Sequence, residues 1–542
     1  MNAEARGVGY VIAVSGARIT GVLEMDAASL ADGYGATRDE SAARIGALAR
    51  MRTPDSTVFG IVSELHLEFG PGGLSNIGRR VASIDLIGEM MDEAPGQAGL
   101  RFQRGVSVFP TLGVAIELAS EADIERVYAR PSRSTVPIGT VHQNRDTPAY
   151  LVIDDLLGKH FAVLGTTGSG KSCTVALILR KVLEAHRAGR VVLLDPHAEY
   201  VAAFGDMAES IDMSTLQLPC WLFNFEETVA VLLGDADMGD RAAQVAILKD
   251  AILQARKRFL GDKEDTAYVT VDTPIPYRLG EVVRIVDTAM GKLDNPDKIT
   301  TYLRLKSRLE SLSNDKRYAF MFAGVVVRDT MAQILSRLLR LPVAGKPLTI
   351  VDLSGVPSEV VDVVVSVLCR MIFDFALWSE RNKGQPILLV CEEAHRYIPS
   401  DERTGFSATK LALARIAKEG RKYGVSLCLV SQRPSELSTS VLSQCGTIFA
   451  LRMGNEQDQS YVGRALPENA QSLLGVLPAL RQQEAIAVGE GVTVPMRVRF
   501  ADLPEEQRPR SASAAFSTLW QDDKAKLDFV EDTVRRWRQQ IR

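Results

Sequence analysis

Phe161-Ala162-Val163-Leu164-Gly165-Thr166-Thr167-Gly168-Ser169-Gly170-Lys171-Ser172 is the stretch that decides how this chain folds. Four apolar residues read as a short buried strand and run into a glycine-rich loop. From Cys173 to Leu183, Val175, Ile178, Leu179, Val182 and Leu183 recur at helical spacing. Strand, loop and helix are the setting a P-loop requires, and Gly165 to Ser172 fits its pattern residue by residue. Gly165, Gly168 and Gly170 let the backbone turn so that successive N–H groups face a triphosphate, and the helix N-terminus adds positive dipole character. Lys171 is placed to reach the β- and γ-phosphates, and the Ser172 hydroxyl to ligate Mg²⁺. The expected nucleotide-binding set is Gly165, Thr166, Thr167, Gly168, Ser169, Gly170, Lys171, Ser172 and Cys173, with ATP and Mg²⁺ as the implied ligands.

A chain of 542 residues predicts more than one domain. With 46% hydrophobic and 24% charged residues it has an ordinary globular balance. The most apolar long run, residues 360–378, contains Asp362, Arg370 and Asp374 and so reads as a buried helix, not a membrane span. Six cysteines are scattered without a CxxC pair, which favours buried thiols in a reducing cytoplasm over a metal site. The net charge of −4 excludes a globally basic nucleic-acid binder, leaving local basic patches as the means of holding DNA.

Outward from the P-loop, residues 1–145 show short β-rich runs at the spacing of a small barrel, without a catalytic constellation. After the P-loop helix, Val191-Val192-Leu193-Leu194 reads as a strand entering Asp195-Pro196-His197-Ala198-Glu199-Tyr200. Polar residues at the carboxyl end of a parallel strand face the ligand crevice, which makes Asp195 and Glu199 site candidates. The same pair also suits a turn Asp before Pro and a helix-starting Glu. Residues 205–345 read as an inserted helical subdomain, on which Arg256, Lys257, Arg258, Lys306 and Arg308 are expected on solvated faces.

The run Ile387-Leu388-Leu389-Val390-Cys391 ends in Glu392-Glu393-Ala394-His395, the form of a Walker B strand. Glu392 is assigned to the metal and Glu393 to the attacking water. His395 suits either the site or a structural hydrogen bond. A further strand ends in Ser431-Gln432-Arg433-Pro434, where Gln432 is placed to sense the γ-phosphate or the water. Ala485–Val488 and Pro495–Phe500 predict a hairpin, and the chain ends in an amphipathic helix with Trp520, Phe529, Val530 and Trp537, expected to pack on a neighbour or on its own core.

Taken in order, the P-loop, Asp195–Tyr200, Leu218-Pro219-Cys220-Trp221, Asp352-Leu353-Ser354-Gly355-Val356-Pro357, Glu392–His395, Glu419-Gly420-Arg421-Lys422-Tyr423-Gly424 and Ser431–Pro434 resemble the HerA family of DNA translocases, in the FtsK–HerA class. The resemblance implies an α/β fold: a RecA-like P-loop core with an inserted helical subdomain and an N-terminal small β-barrel. The implied domains are residues 1–145 (barrel), 146–204 with 346–503 (core), 205–345 (helical insertion) and 504–542 (helical tail). It also implies a homo-oligomer, a hexameric ring that hydrolyses ATP at subunit interfaces and drives double-stranded DNA through a central pore. Its partner would be a NurA-like nuclease or a sirtuin-like or nuclease effector of antiviral defence. By the same resemblance Glu393 is catalytic, Gln432 senses, and Arg421 is suited to act on a neighbour's nucleotide as an arginine finger, with Arg415 as second candidate. Ala198 stands where the family often has Gly, and Glu392 where Walker B motifs usually have Asp. A scaffold that assembles and activates an effector is the alternative to a motor. A basic segment with Arg396, Arg403 and Lys410 is the candidate DNA contact.

Overall fold

The computed structural model describes residues 7–23, 44–68, 79–91, 101–212, 214–234, 238–261, 265–322, 328–379, 384–401, 403, 405–466, 472–510, 516–521 and 527–539. The N-terminal strands are β1 (Gly7–Ser15), β2 (Arg18–Leu23), β3 (Leu48–Arg52), β4 (Ser56–Glu68), β5 (Arg79–Met91), β6 (Phe102–Arg104) and β7 (Ala115–Leu118). They pair antiparallel in the order β2-β1-β7-β3-β4-β5, and β2 pairs back onto β5, so six strands close a barrel while β6 flanks β5. Closure removes the free edges that β-rich runs would otherwise expose. Register shifts in β1 and β4 supply the local bends that closure needs. Val11, Ile19, Met51, Val58, Ile84 and Ile116 fill the interior.

The remaining strands are β8 (Thr135–Val141), β9 (Pro148–Val152), β10 (Phe161–Leu164), β11 (Val191–Asp195), β12 (Ala208–Ile211), β13 (Leu348–Asp352), β14 (Ile387–Cys391), β15 (Val425–Ser431), β16 (Thr447–Leu451), β17 (Glu484–Gly489) and β18 (Met496–Phe500). The chain divides into two compact units. One comprises Met1–Arg187, Glu393–Arg403 and Ala417–Leu503; the other comprises Ala188–Glu392, Thr404–Ile416 and Pro504–Arg542.

In the first unit the strand order is β15-β10-β16-β17-β18-β8-β9. β10 runs parallel to both β15 and β16, and the expected hairpin is β17–β18, antiparallel and continued by β8 and β9. The barrel belongs to this unit and is fastened to the hairpin turn by Arg104. Its Nε donates to Thr493 O at 2.6 Å, and Nη2 to Gly489 O at 2.6 Å and Val492 O at 2.8 Å. Gln143 Nε2 adds a bond to Gly46 O at 3.1 Å.

In the second unit β12-β13-β11-β14 form a parallel sheet in which β13, β11 and β14 are almost wholly buried. Continuous apolar runs such as Val191–Leu194 and Ile387–Cys391 are what strands covered on both faces require. Between β12 and β13 lie the helices Phe225–Leu233, Met238–Leu260, Leu279–Met290, Pro296–Asn314 and Met331–Leu339. Asn224 and Asn295 cap two of them with their side chains. Arg256 departs from its expected solvated face. It is 1% exposed, with Nη2 3.4 and 3.3 Å from the carbonyls of Trp221 and Phe223 and its guanidinium carbon 5.3 Å from the centre of the Tyr277 ring. The helical period alone could not separate this inward position from its exposed neighbours Lys257 and Arg258. The helix Leu527–Gln539 keeps Leu527, Phe529, Val530 and Trp537 exposed. Among the described residues no helix is long and apolar enough to cross a membrane.

Arg104→Ala removes three bonds from one guanidinium to carbonyls that then have only solvent as donor. We expect a loss of about 1–2 kcal/mol after discounting for the partial exposure of the side chain. A shift of the denaturant midpoint of the full chain measures it, and an unchanged midpoint would show that the bracket carries no stability.

Candidate active site

β10 is fully buried between two parallel neighbours, so the loop after it starts from a fixed point. Gly165 N donates to Ser431 O at 3.3 Å, and Thr166 N and Oγ1 donate to Arg452 O at 3.1 and 3.0 Å, tying the loop to the ends of β15 and β16. A Cβ on Gly165 would lie 2.7 Å from Ser169 Oγ and 2.8 Å from Leu451 Cβ, so only glycine fits there. Gly168 and Gly170 have φ of 74° and 100°, the left-handed turns that aim backbone N–H groups inward. The helix Lys171–Ala185 begins directly at Gly170, whose carbonyl accepts from Thr174 N at 2.9 Å. Ser169 Oγ closes the loop on Thr166 O at 2.7 Å, and Lys171 Nζ folds over it to the same carbonyl at 3.1 Å. Thr167 and Gly168 are exposed at the rim, and Lys171, Ser172 and Cys173 half-buried. These residues fit a nucleoside triphosphate: a tight cradle, inward donors, and a lysine lying across its mouth.

Glu393, Gln432 and His395 lie in the same compact unit as the loop. Glu393 is 9% exposed and has φ of 50°, a left-handed backbone that costs a non-glycine residue about 1–3 kcal/mol. Its Oε2 is 3.2 Å from His395 Nδ1, which is also 3.2 Å from Ser431 Oγ. Burial lowers the pKa of His395, against the pull of Glu393 and Glu436, so the imidazole is neutral near pH 7. Gln432 reaches the P-loop, its Oε1 accepting from Thr167 Oγ1 at 2.5 Å. Gln482 Nε2 adds a bond to Gly168 O at 3.3 Å.

The second unit carries Asp195, Glu199 and Glu392. Asp195 ends β11 level with Asp352 of β13, and its carboxylate accepts from His197 N at 3.2 Å and Tyr200 N at 3.0 Å. It thus shapes the turn. Burial raises its pKa to about 6, against backbone bonds from Glu199 and His197 and aided by the charges of Asp352 and Glu199. Ala198 within this turn has φ of 55°, which is the conformational reason glycine suits the position. Glu199 is half-buried. Glu392 follows β14, is 7% exposed, and accepts a hydrogen bond from Tyr200 Oη. As a buried carboxylate at a strand end it is of the right chemistry for Mg²⁺, as is the Ser172 hydroxyl.

The two arginine candidates differ in their own surroundings. Arg415 stacks on Phe373, its guanidinium carbon 4.4 Å from the ring centre, and lies 3.9 Å from Asp374. Arg421, near the end of the helix Ser407–Tyr423, is exposed and has no ion pair among the described residues. Arg396 and Arg403 are exposed and Lys410 half-buried.

Sequence reading passed over His160. It is 3% exposed, directly before β10, with φ of 54°. Nδ1 accepts from Leu427 N at 3.0 Å, so the proton is on Nε2, which donates to Ala417 O at 3.1 Å. One ring therefore joins β10, the start of β15 and the helix Ser407–Tyr423. A lone histidine beside an apolar run carries no mark of such bonds, which span more than 250 positions.

This fold and site define a P-loop ATPase with a RecA-like core. Residues 136–372 match the family model described as "Helicase HerA, central domain". The chain is 27% identical over 437 residues to the "DNA double-strand break repair helicase HerA" of Pyrococcus furiosus, covering 72% of this chain and 74% of the relative. It is 26% identical to "Probable helicase MJ1565" of Methanocaldococcus jannaschii, covering 78% of each. Among solved structures, VirB4 of Thermoanaerobacter pseudethanolicus is similar with a TM-score of 0.48 and 18% identity, over 70% of this chain and 98% of that one.

Burial holds the pKa of His160 below 6.5, with nearby Arg421 adding to the effect against the Ala417 bond. Its folded value lies under its unfolded one, so its contribution to stability is complete above about pH 6.5 and is lost as pH falls through the folded value. Unfolding free energies from pH 7.5 to 5 should therefore fall more steeply for wild type than for His160→Gln. Parallel curves would refute the assignment.

Proposed function

We propose that this chain is the ATP-driven motor of a ring-shaped DNA translocase or helicase. The observation that carries the reading is that the P-loop, Glu393 and Gln432 fall in one compact unit, with Gln432 bonded to the P-loop through Thr167. The relatives named as repair helicases support DNA as the thing moved. In this reading Gly165 to Cys173 hold the triphosphate, and Lys171 offsets charge on its outer phosphates. Glu393 accepts a proton from the attacking water, and Gln432 orients that water while reporting to the P-loop through Thr167. The Ser172 hydroxyl would ligate Mg²⁺, which when bound neutralises charge developing on the phosphates. Asp195 shapes the turn that brings Tyr200 to Glu392, with Glu199 in the same turn.

The site is half a site. Arg421 is exposed and has no ion pair among the described residues, which suits a residue acting on a neighbour's nucleotide, whereas Arg415 is engaged with Phe373 and Asp374. We therefore assign the finger to Arg421 and infer a homo-oligomer, a hexamer by family resemblance, working on double-stranded DNA in the cytoplasm. The barrel of residues 1–145 would serve assembly, with residues 146–204 and 346–503 as motor core, 205–345 as helical insertion and 504–542 as a tail packing on a neighbour or its own core. A NurA-like nuclease or a defence effector would supply any cutting. Arg396, Arg403 and Lys410 are proposed to contact phosphates.

Lys171→Ala and Glu393→Gln should each lower ATP turnover about 10²-fold or more, since each removes a group acting in the transition state. Wild-type turnover in either variant would sink the mechanism. Added duplex DNA should stimulate turnover, and its binding should weaken about 10³-fold or more between 50 and 200 mM salt if six or more phosphates are gripped. Effector activation by the ring without DNA would instead favour the scaffold reading.

A further inference from the structure

The residue that most needs an explanation beyond this mechanism is His395. Its Nδ1 stands 3.2 Å from an oxygen on each of two segments: Oε2 of Glu393, just past β14, and Oγ of Ser431, the last residue of β15. Ser431 is not a passive neighbour. Its Oγ also accepts from Arg433 N at 3.0 Å, its carbonyl accepts from Gly165 N at 3.3 Å, and it precedes Gln432, which is bonded to Thr167. One imidazole nitrogen thus touches the proposed base and the strand tip from which both the sensor and the first residue of the P-loop are held. All of these residues belong to one compact unit.

Two features argue against a merely space-filling histidine. Its ring is not in the deep core, since its side chain keeps 12% exposure beside the buried Glu393. And Glu393 holds a left-handed backbone that nothing in a Glu favours, so the chain spends stability to aim this carboxylate. A carboxylate aimed by a strained backbone still rotates about its side-chain bonds unless something holds it. His395, whose Nδ1 lies 3.2 Å from Oε2 but outside hydrogen-bonding geometry as it stands, is one group placed to do so by donating Nδ1–H. A neutral imidazole has one such proton, so a firm bond to Glu393 weakens the one to Ser431, and the reverse.

We propose that His395 is a positioning residue that shares its Nδ1 proton between Glu393 and Ser431, and so couples the aim of the water-activating carboxylate to the state of the P-loop and sensor. Loading of the triphosphate draws on Thr167 and Gln432, shifts the tip of β15, and releases His395 from Ser431 toward Glu393. No bond is made or broken in this step and no proton leaves the imidazole. The proposal rests on Glu393 being the base.

The test is a set of full-length variants assayed for ATP turnover and for equilibrium binding of a non-hydrolysable ATP analogue. His395→Ala should lower kcat about 10–100-fold, with KM and analogue affinity within twofold of wild type. His395→Gln, which keeps a side-chain N–H donor, should recover most of the loss. In a Glu393→Gln background, His395→Ala should cost nothing further, because its effect passes through the missing carboxylate. An undiminished kcat in His395→Ala, an equal loss in both backgrounds, or no recovery in a folded His395→Gln protein would each overturn the proposal. If His395→Ala does not fold, Ser431→Ala decides: a changed kcat that Glu393→Gln abolishes supports the coupling, and an unchanged kcat overturns it. Wild-type turnover by Glu393→Gln alone would remove the base itself, an outcome separate from failure at His395.

Discussion

The structure turns on the absence of one methyl group's worth of space after β10. Gly165 leaves the strand against Ser169 Oγ and Leu451 Cβ, and any side chain would collide with both. That close approach lets the loop fold back so tightly that Thr166 O receives Ser169 Oγ and Lys171 Nζ together. It is possible only because β10 is gripped on both sides by parallel strands and so cannot shift to relieve a clash. Packing sets the strand, the strand sets the loop, and the loop sets the lysine.

The same logic of held positions extends to non-glycine residues with left-handed backbones at strand ends, among them His160 before β10, Ala198 after β11 and Glu393 after β14. Each costs about 1–3 kcal/mol locally and persists only where its surroundings over-determine it. For His160 those surroundings are two backbone partners, and for Ala198 the turn closed on Asp195. For Glu393 they include the ring of His395.

Local pattern made the P-loop, the Walker B strand, the β17–β18 hairpin and the β-rich character of the N-terminal region legible in the sequence, since each rests on residues close together in the chain. What was not legible lies in pairings between distant positions. The return of β2 onto β5 closes the barrel, but alternation of residues along either strand does not name its partner. The bond from Thr167 to Gln432 joins two residues that the sequence put forward separately, and no spacing announces their contact. Arg256 shows the opposite failure. It lies among basic residues on a helix, and charge alone suggested solvent, yet the carbonyls of Trp221 and Phe223 and the Tyr277 ring receive it in the interior. A cation whose partners are carbonyl dipoles and a ring face leaves no acidic residue in the sequence to betray it.

The six cysteines carry a consequence of a different kind. Five of them, Cys220, Cys369, Cys391, Cys428 and Cys445, are buried, while Cys173 is partly accessible. Because Cys173 follows Ser172 at the start of the P-loop helix, the folded chain offers a thiol-directed reagent a single sulfur beside its nucleotide cradle. Alkylation kinetics at that sulfur are thus an optical or mass-spectrometric reporter of cradle occupancy, native to the chain and free of any engineered label.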